Sequence, residues 1–511
     1  MSDAEDRTSE GPPDGPAPER LTRVVPTQVD AAARAASGAI GGPWGRHAVI
    51  GRQWFWTPLR VVLALAIVIL AFAWIQKSPC QTGNWSLSQP VADANGKLVY
   101  ITGKEYVDLC YSDIIPLYGV EGLADGQVPY KDHPVEYPVL TGYFMYAAAE
   151  LGRGYDSIAG DVPGLPQPPP VQTYYEITAL MLALCFLITV WAVARIARDR
   201  VWDAAMVALS PLLIVQAFTN WDLFAVMFAT VGMLAWSRRR PALAGVLFGL
   251  GAAAKLYPLF LLGPLLVLCL RAREYRPFGR ALTGTVVAWA AVNLPVAILW
   301  TDAWKKFFTL NSDRPADPDT LWNVGEEITG SQIAVHQLNI GVIVAFALVC
   351  VGVAYLAFGA NRRPRVAQLA FLLIAGFLLT NKVWSPQYSL WLVPLAVLAR
   401  PSWRIYLTWQ AIDAFLWFPR MYWFLQTRMQ SYQNVNGYKV LVRGIDESWF
   451  HLVVVFRDLA VLLYGIMIIR DILRPEKDPV RSGGDDDPAG GVLDGAPDRA
   501  TPLPDREYVP A

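Results

Sequence analysis

The sequence predicts an all-α protein that threads a membrane about 12 times and carries a helical first outer loop. Three observations predict it. Hydrophobic residues make up 54% of 511 positions and charged residues 17%, where an ordinary soluble chain carries about 25% charge. Apolar runs of membrane-crossing character recur along the chain, because a spanning helix needs roughly 20 mostly apolar residues to satisfy its backbone internally. Arginine clusters then follow every second run. The 20 Trp, 21 Tyr and 21 Phe fit the same picture, since aromatic rings favour membrane interfaces. A net charge of zero gives no sign of a nucleic-acid partner.

The chain divides into three parts. Residues 1–46 and 474–511 are rich in Pro, Ala, Gly and charge, and both are expected to be disordered cytoplasmic tails. Residues 47–473 form the integral membrane domain. Its first apolar run starts too far from Met1 for a secretory signal peptide and lacks a small-residue cleavage site, so it is expected to remain as an anchor. The predicted span cores are 61–74, 177–194, 204–218, 223–236, 242–253, 256–270, 281–299, 340–358, 367–379, 390–398, 405–418 and 452–469. Several are shorter than a full crossing and need flanking residues or sheltering neighbours.

Basic residues collect on the cytoplasmic side of membrane proteins. Here they cluster before the first run, at Arg46, Arg52 and Arg60. They cluster again at Arg195/Arg198/Arg200, Arg238/Arg239/Arg240, Arg271/Arg273/Arg276, Arg362/Arg363/Arg365, Arg400/Arg404 and Arg470/Arg474. That alternation places both tails in the cytoplasm. The apolar stretch Tyr137 to Leu151 would break it as a crossing, and is read as a juxtamembrane or re-entrant helix of the first outer loop, 76–175.

The unusual residues fall on the outer side. From Cys110 the chain reads CYSDIIPLYGVEGLADGQVPYKDHPVEYPVL, which gathers Asp113, Glu121, Asp125, Asp132, His133 and Glu136. Carboxylates near a membrane are costly to desolvate and usually have a partner or a task. A solvated loop is the bland reading. The functional one makes Asp113 a general base, held at the apolar boundary by the Ile-Ile-Pro-Leu that follows. Three junctions carry ionisable groups where a span meets the outer surface: TNWD at 219–222, AKLYP at 254–258 and NKVWSPQY at 381–388. Lys255 and Lys382 are flanked by apolar runs. Snorkelling explains either one alone, but two outer-face lysines break the positive-inside pattern and point to an anionic ligand. Arg420 is a third cation of that set. Asn220 and Asp222 suit sugar hydroxyls, although Asp222 equally suits capping of the helix that starts at Leu223.

Cys80 and Cys110 share the first outer loop and are candidate disulfide partners, whereas Cys185, Cys269 and Cys350 lie in spans as packing residues. No His/Cys cluster has metal-ligand spacing. Glu121, Asp125 and Asp132 offer oxygen ligands to a divalent cation, in no recognisable pattern. His133 and His336 are assigned to the outer side as candidate helpers in acid–base work. No P-loop or dinucleotide fingerprint is present, and no motif calls for a cofactor.

Asp113, then ADGQVPY (124–130), VEYPVL (135–140), TNWDLFAV, AKLYPLFLLGPLL and NKVWSPQYSLWLVPL in that order resemble glycosyltransferase family 87. The resemblance runs from about Val61 to Leu398 and implies the C-type superfamily of integral membrane glycosyltransferases, as in actinobacterial mannosyl- and arabinosyltransferases. It implies a polyprenyl-phosphate sugar donor, a glycan or glycolipid acceptor outside the cytoplasmic membrane, and inversion at the anomeric carbon. By analogy Asp113 is the base. Lys255 and Lys382, joined by Arg420, would lie near the donor phosphate. Glu136, Tyr137, His133, His336, Gln387 and Tyr388 join Asn220 and Asp222 as substrate-binding candidates. Two departures stand out: Tyr137-Pro138-Val139 where the family often has YPP, and an insert at 152–171 that ends in prolines. The rival reading is a transporter or lipid flippase, and a third is a non-catalytic partner subunit. A transporter commonly binds near the midplane within repeated halves, and no internal repeat is visible here.

Overall fold

Apolar helices cross a common core and end in two polar layers. The structure is a computed structural model, and it describes residues 56–82, 91–92, 98–99, 103–436 and 444–498. The expected disordered tail at 1–46 lies outside the described residues. Five helices are long and apolar enough to cross a membrane: Pro58–Cys80, Pro170–Ile196, Tyr275–Leu299, Val335–Gly359 and Glu447–Leu473. Five shorter apolar helices accompany them. Among the described residues the named strands are a single two-residue pairing, Val91–Ala92 with Leu98–Val99.

The first long helix shows how sequence selects a face. Proline at its first turn tolerates the missing N–H, and Thr57 caps it by accepting from the Arg60 N–H at 3.4 Å. Val62, Ala66, Leu70 and Ala73 recur at helical spacing and are buried, while Ile67, Phe72 and Ile75 point outward. A stripe inside and an apolar face outside is what a lipid-bathed helix requires.

The shorter cores are short for a chemical reason. Pro211 divides one run into Ala204–Ala208 and Pro211–Gln216. Pro258 and Pro386 open the 3-10 turns Tyr257–Leu261 and Pro386–Trp391, which lead into Leu262–Ala272 and Leu392–Ala399. A proline lacks the N–H that would extend a helix backwards. Each of these two breaks falls just after a lysine, Lys255 or Lys382, at the same end of the bundle. The stretch read as Tyr137 to Leu151 is a longer helix, Val139–Asp161, packed on Pro170–Ile196 and Pro241–Ala254. It takes up the first half of the insert at 152–171, and is not among the five long apolar helices. Glycine lets Pro241–Ala254 and Tyr275–Leu299 approach backbone to backbone: a Cβ on Gly245 would lie 1.9 Å from the Ala281 carbonyl oxygen.

The described part of the C-terminal tail differs from expectation. Residues 474–498, read as disordered, dock across the ends of the helices opposite the lysine junctions. Asp478 takes the Arg365 guanidinium at 2.8 and 2.9 Å, with both side chains buried. Asp486 takes Arg363 at 2.8 Å and Arg362 at 3.1 Å. Asp485 pairs with Arg200, and Asp494 with Arg198. Asp487 accepts the Val366 N–H at the start of Val366–Thr380. Trp236 donates to the Gly490 carbonyl, and Val480 and Leu493 are fully buried. Composition misleads here because the tail's partners are arginines contributed by distant helices. The clusters at 198–200 and 362–365 are therefore neutralised within the chain.

Removing one member of a buried pair leaves an uncompensated charge, at a cost of roughly 3–5 kcal/mol. Asp478→Ala should accordingly lower the thermal melting midpoint sharply. Asp494→Ala, whose partner Arg198 is 41% exposed, should cost under about 1 kcal/mol. Equal midpoints for the two variants would contradict the docked tail.

Candidate active site

At the lysine end lies a chamber of about 700 Å³. Its floor is built by docking of the first loop onto the 218–220 turn. Ser112 Oγ donates to the Phe218 carbonyl at 2.7 Å, and the Asp113 N–H to the Thr219 carbonyl at 2.8 Å. A disulfide between Cys80 and Cys110 ties the same loop to the end of the first long helix. Lys77 reinforces the tie by donating to the Tyr111 carbonyl at 2.7 Å.

Asp113 lines the chamber with both carboxylate oxygens engaged. Tyr111 Oη donates to Oδ1 at 2.8 Å, and Asn220 Nδ2 to Oδ2 at 2.7 Å. Asp113 and burial hold the Tyr111 phenol above its ordinary pKa, which keeps it a donor. Asn220 also donates to Tyr137 Oη at 2.8 Å, while its Oδ1 accepts from the Trp221 N–H at 2.7 Å and from Lys255 Nζ at 3.4 Å. Asp222 sits beneath, fully buried, and meets Lys255 at 3.5 Å and Trp391 Nε1 at 2.7 Å. The N-cap position of the helix Asp222–Ser237 falls on Trp221, and the Asp222 carboxylate is directed to Trp391 and Lys255. It is a counter-ion, not a capping group.

The chamber brings together Asp113, Glu136, Tyr137, Asn220, Lys255, Lys382, Gln387, Tyr388 and Arg420, although these are scattered over more than half of the chain. It does not include Asp222, His133 or His336. His336 is exposed at the start of Val335–Gly359. His133 stands outside, 3.8 Å from the Glu121 carboxylate. Among the lining residues that escaped the sequence reading are Tyr111, Arg314 and Asp317. Arg314 carried a usable signal, because it is a further cation in a loop that the sequence assigns to the outer side, of the kind that drew attention to the lysines.

Further acids lie in and behind the chamber wall: Glu136 and Asp317 line it, and Glu121 lies behind Glu136. Glu121 is buried, and its Oε1 lies 3.4 Å from the Glu136 N–H. Burial, then the Glu136 charge, pushes its carboxyl up to about 7. Burial, then Asp113, also raises Glu136. Burial raises Asp317 to about 6 against the pull of Arg314. Asp125 and Asp132, by contrast, are exposed. Among the described residues no three His, Cys, Asp or Glu gather closely enough to hold a metal ion.

Beside the chamber runs an apolar groove of about 370 Å³, between Pro241–Ala254, Tyr275–Leu299 and the amphipathic helix Thr301–Asp313. Tyr137, Pro138, Leu256, Phe307 and Phe308 line both spaces. A chamber lined by charged side chains that shares a wall with an apolar groove suits an amphiphile whose head and tail need different surroundings.

Residues 168–386 match the model of glycosyltransferase family 87, in agreement with the resemblance read from the motifs. The match takes in the Asn220, Lys255 and Lys382 junctions, and Asp113 and Glu136 precede it. A family 87 match implies a glycosyltransferase, hence a sugar donor and an acceptor. No curated protein matches the chain.

A carboxyl raised from 4.5 to about 7 binds its proton more tightly in the folded protein. Its stabilising contribution is full below about pH 4.5 and is lost as pH rises through about 7. Glu121→Gln should therefore leave the melting midpoint unchanged near pH 4 and raise it above wild type near pH 8. The same difference at both pH values would show that Glu121 does not titrate in this range.

Proposed function

We propose that this chain is an inverting glycosyltransferase with GT-C-like architecture. In this reading it moves mannose or arabinofuranose from a polyprenyl-phosphate donor to a hydroxyl of a cell-envelope glycan or glycolipid. The observation that carries the reading is the wall shared by chamber and groove. An isoprenoid tail would lie in the groove, with its phosphate and sugar projecting into the chamber beside Asp113. The family match supplies the reaction class, and the geometry supports the lipid-linked donor. The alternation of arginine clusters supports twelve crossings, cytoplasmic tails and a chamber on the outer face of the cytoplasmic membrane. A transporter would tend to place its binding residues near the midplane, whereas these lie at helix ends.

The chemistry is a single displacement. The acceptor oxygen attacks the anomeric carbon from the face opposite the phosphate, and the bond from that carbon to the phosphate oxygen breaks. The acceptor proton passes to Asp113, and polyprenyl phosphate leaves with the bonding electrons. Tyr111 and Asn220 orient the carboxylate so that it is presented to the acceptor hydroxyl. Lys255, held by Asp222 and flanked by the rings of Tyr137 and Tyr388 at 5.1 and 5.2 Å, adds positive potential where negative charge develops on the leaving group.

Asp113→Asn keeps the shape and removes the base, so transfer should fall by about 10²–10⁴-fold. The measurement is transfer of radiolabelled sugar from polyprenyl-phosphate donors to a membrane glycolipid fraction by purified wild type and variant. Equal rates would move the base to Glu136. No transfer from any such donor would remove the donor assignment.

A further inference from the structure

Which cation grips the donor phosphate is decided by which one is open to the chamber and is not held at hydrogen-bond distance by the protein. Lys255 is engaged by Asp222 and Asn220. Arg420 donates Nε to Asp319 at 2.8 Å, and its guanidinium stacks over Phe424 at 4.7 Å, with the side chain 12% exposed. Lys382 is buried and donates to the carbonyls of Ser312 at 3.0 Å and Arg314 at 2.7 Å. Arg314 differs from all three. It lines the chamber, its side chain is 39% exposed, and its ion pair with Asp317 spans 3.6 Å, beyond ordinary hydrogen-bond length.

We propose that Arg314 is the guanidinium that binds the phosphate of the lipid-linked donor, and that Lys382 is the residue that positions it. The proposal rests on the donor reading above. Arg314 directly follows the helix Thr301–Asp313, whose Trp304, Phe307 and Phe308 wall the apolar groove. Phe307 and Phe308 also face the chamber. One short segment thus presents an apolar surface for an isoprenoid and, at its end, a planar fork of five N–H donors. That fork matches two phosphate oxygens at once, as a lysine ammonium cannot. The segment is pinned on both sides of Arg314. Lys382 Nζ holds the carbonyls of 312 and 314, and the Lys382 carbonyl accepts the Asp317 N–H at 2.8 Å. Loss of the ammonium would free the backbone that aims the guanidinium, without removing the guanidinium itself.

The test uses the full chain in lipid nanodiscs, with geranyl phosphate and geraniol as probes and binding read from tryptophan fluorescence. Wild type should bind geranyl phosphate more tightly than geraniol. Arg314→Gln should weaken geranyl phosphate roughly tenfold to hundredfold, as for a lost charge-assisted hydrogen bond, and leave geraniol unchanged. Arg314→Lys should fall between. Lys382→Met should also weaken geranyl phosphate and spare geraniol, whereas a merely structural lysine would weaken both. Geranyl phosphate bound by Arg314→Gln as tightly as by wild type would overturn the proposal while leaving the donor reading intact. A wild type with no preference for the phosphate would overturn both.

Discussion

The Asn220 amide is the contact on which the rest of the site depends. Its two N–H bonds reach Asp113 and Tyr137, and its oxygen accepts from the Trp221 N–H and the Lys255 ammonium. An amide is suited to this because it donates on one side and accepts on the other. The amide nitrogen faces the carboxylate and the amide oxygen faces the ammonium, so the two charges fix its orientation between them. A hydrogen bond to a charged group contributes about 1.5–3 kcal/mol net. Two such bonds from one side chain couple the Asp113 carboxylate to the Lys255 ammonium through a single residue.

Around that amide the chain places charge in layers. Asp222 neutralises Lys255 from below, and Asp319 neutralises Arg420 from the side. The chamber can hold many charges at a membrane boundary because most have a partner before any ligand arrives. The opposite ends of the same helices follow the same rule, with the docked tail supplying Asp478, Asp486 and Asp487 to the arginines. The Cys80–Cys110 bridge and the Lys77 contact with the Tyr111 carbonyl serve a related purpose. They immobilise the loop that bears Asp113, which would otherwise hang from a long connection and lose entropy on ordering.

Much of this was legible in the sequence because a membrane imposes strong patterns. Apolar length marked the five long and five shorter apolar helices, and a polar or ionisable group at a span end marked the Asn220, Lys255 and Lys382 junctions of the chamber. The less legible features depend on contacts between distant segments. Asp222 looked like a helix cap because nothing local reveals Trp391 and Lys255 as its partners. Residues 474–498 looked unstructured because their partners are arginines more than a hundred positions away. His133 and His336 were proposed from residue type and assigned side, and neither property fixes the direction in which a side chain points. Arg314 was missed although it broke the same charge pattern as Lys255 and Lys382, because it lies in a polar loop where an arginine draws no notice.

The central claim is that one lipid-linked sugar occupies groove and chamber together, with Asp113 poised beside its anomeric carbon. The most direct measurement is a structure of the wild-type protein with a non-transferable prenyl-phosphonate sugar. The account predicts the prenyl chain against Trp289 and Phe308, the phosphonate at the wall shared with Tyr137, and the sugar within the chamber. It also predicts room for an acceptor oxygen between Asp113 and the anomeric carbon. A prenyl chain bound elsewhere, with the groove left to lipid and the sugar remote from Asp113, would contradict it.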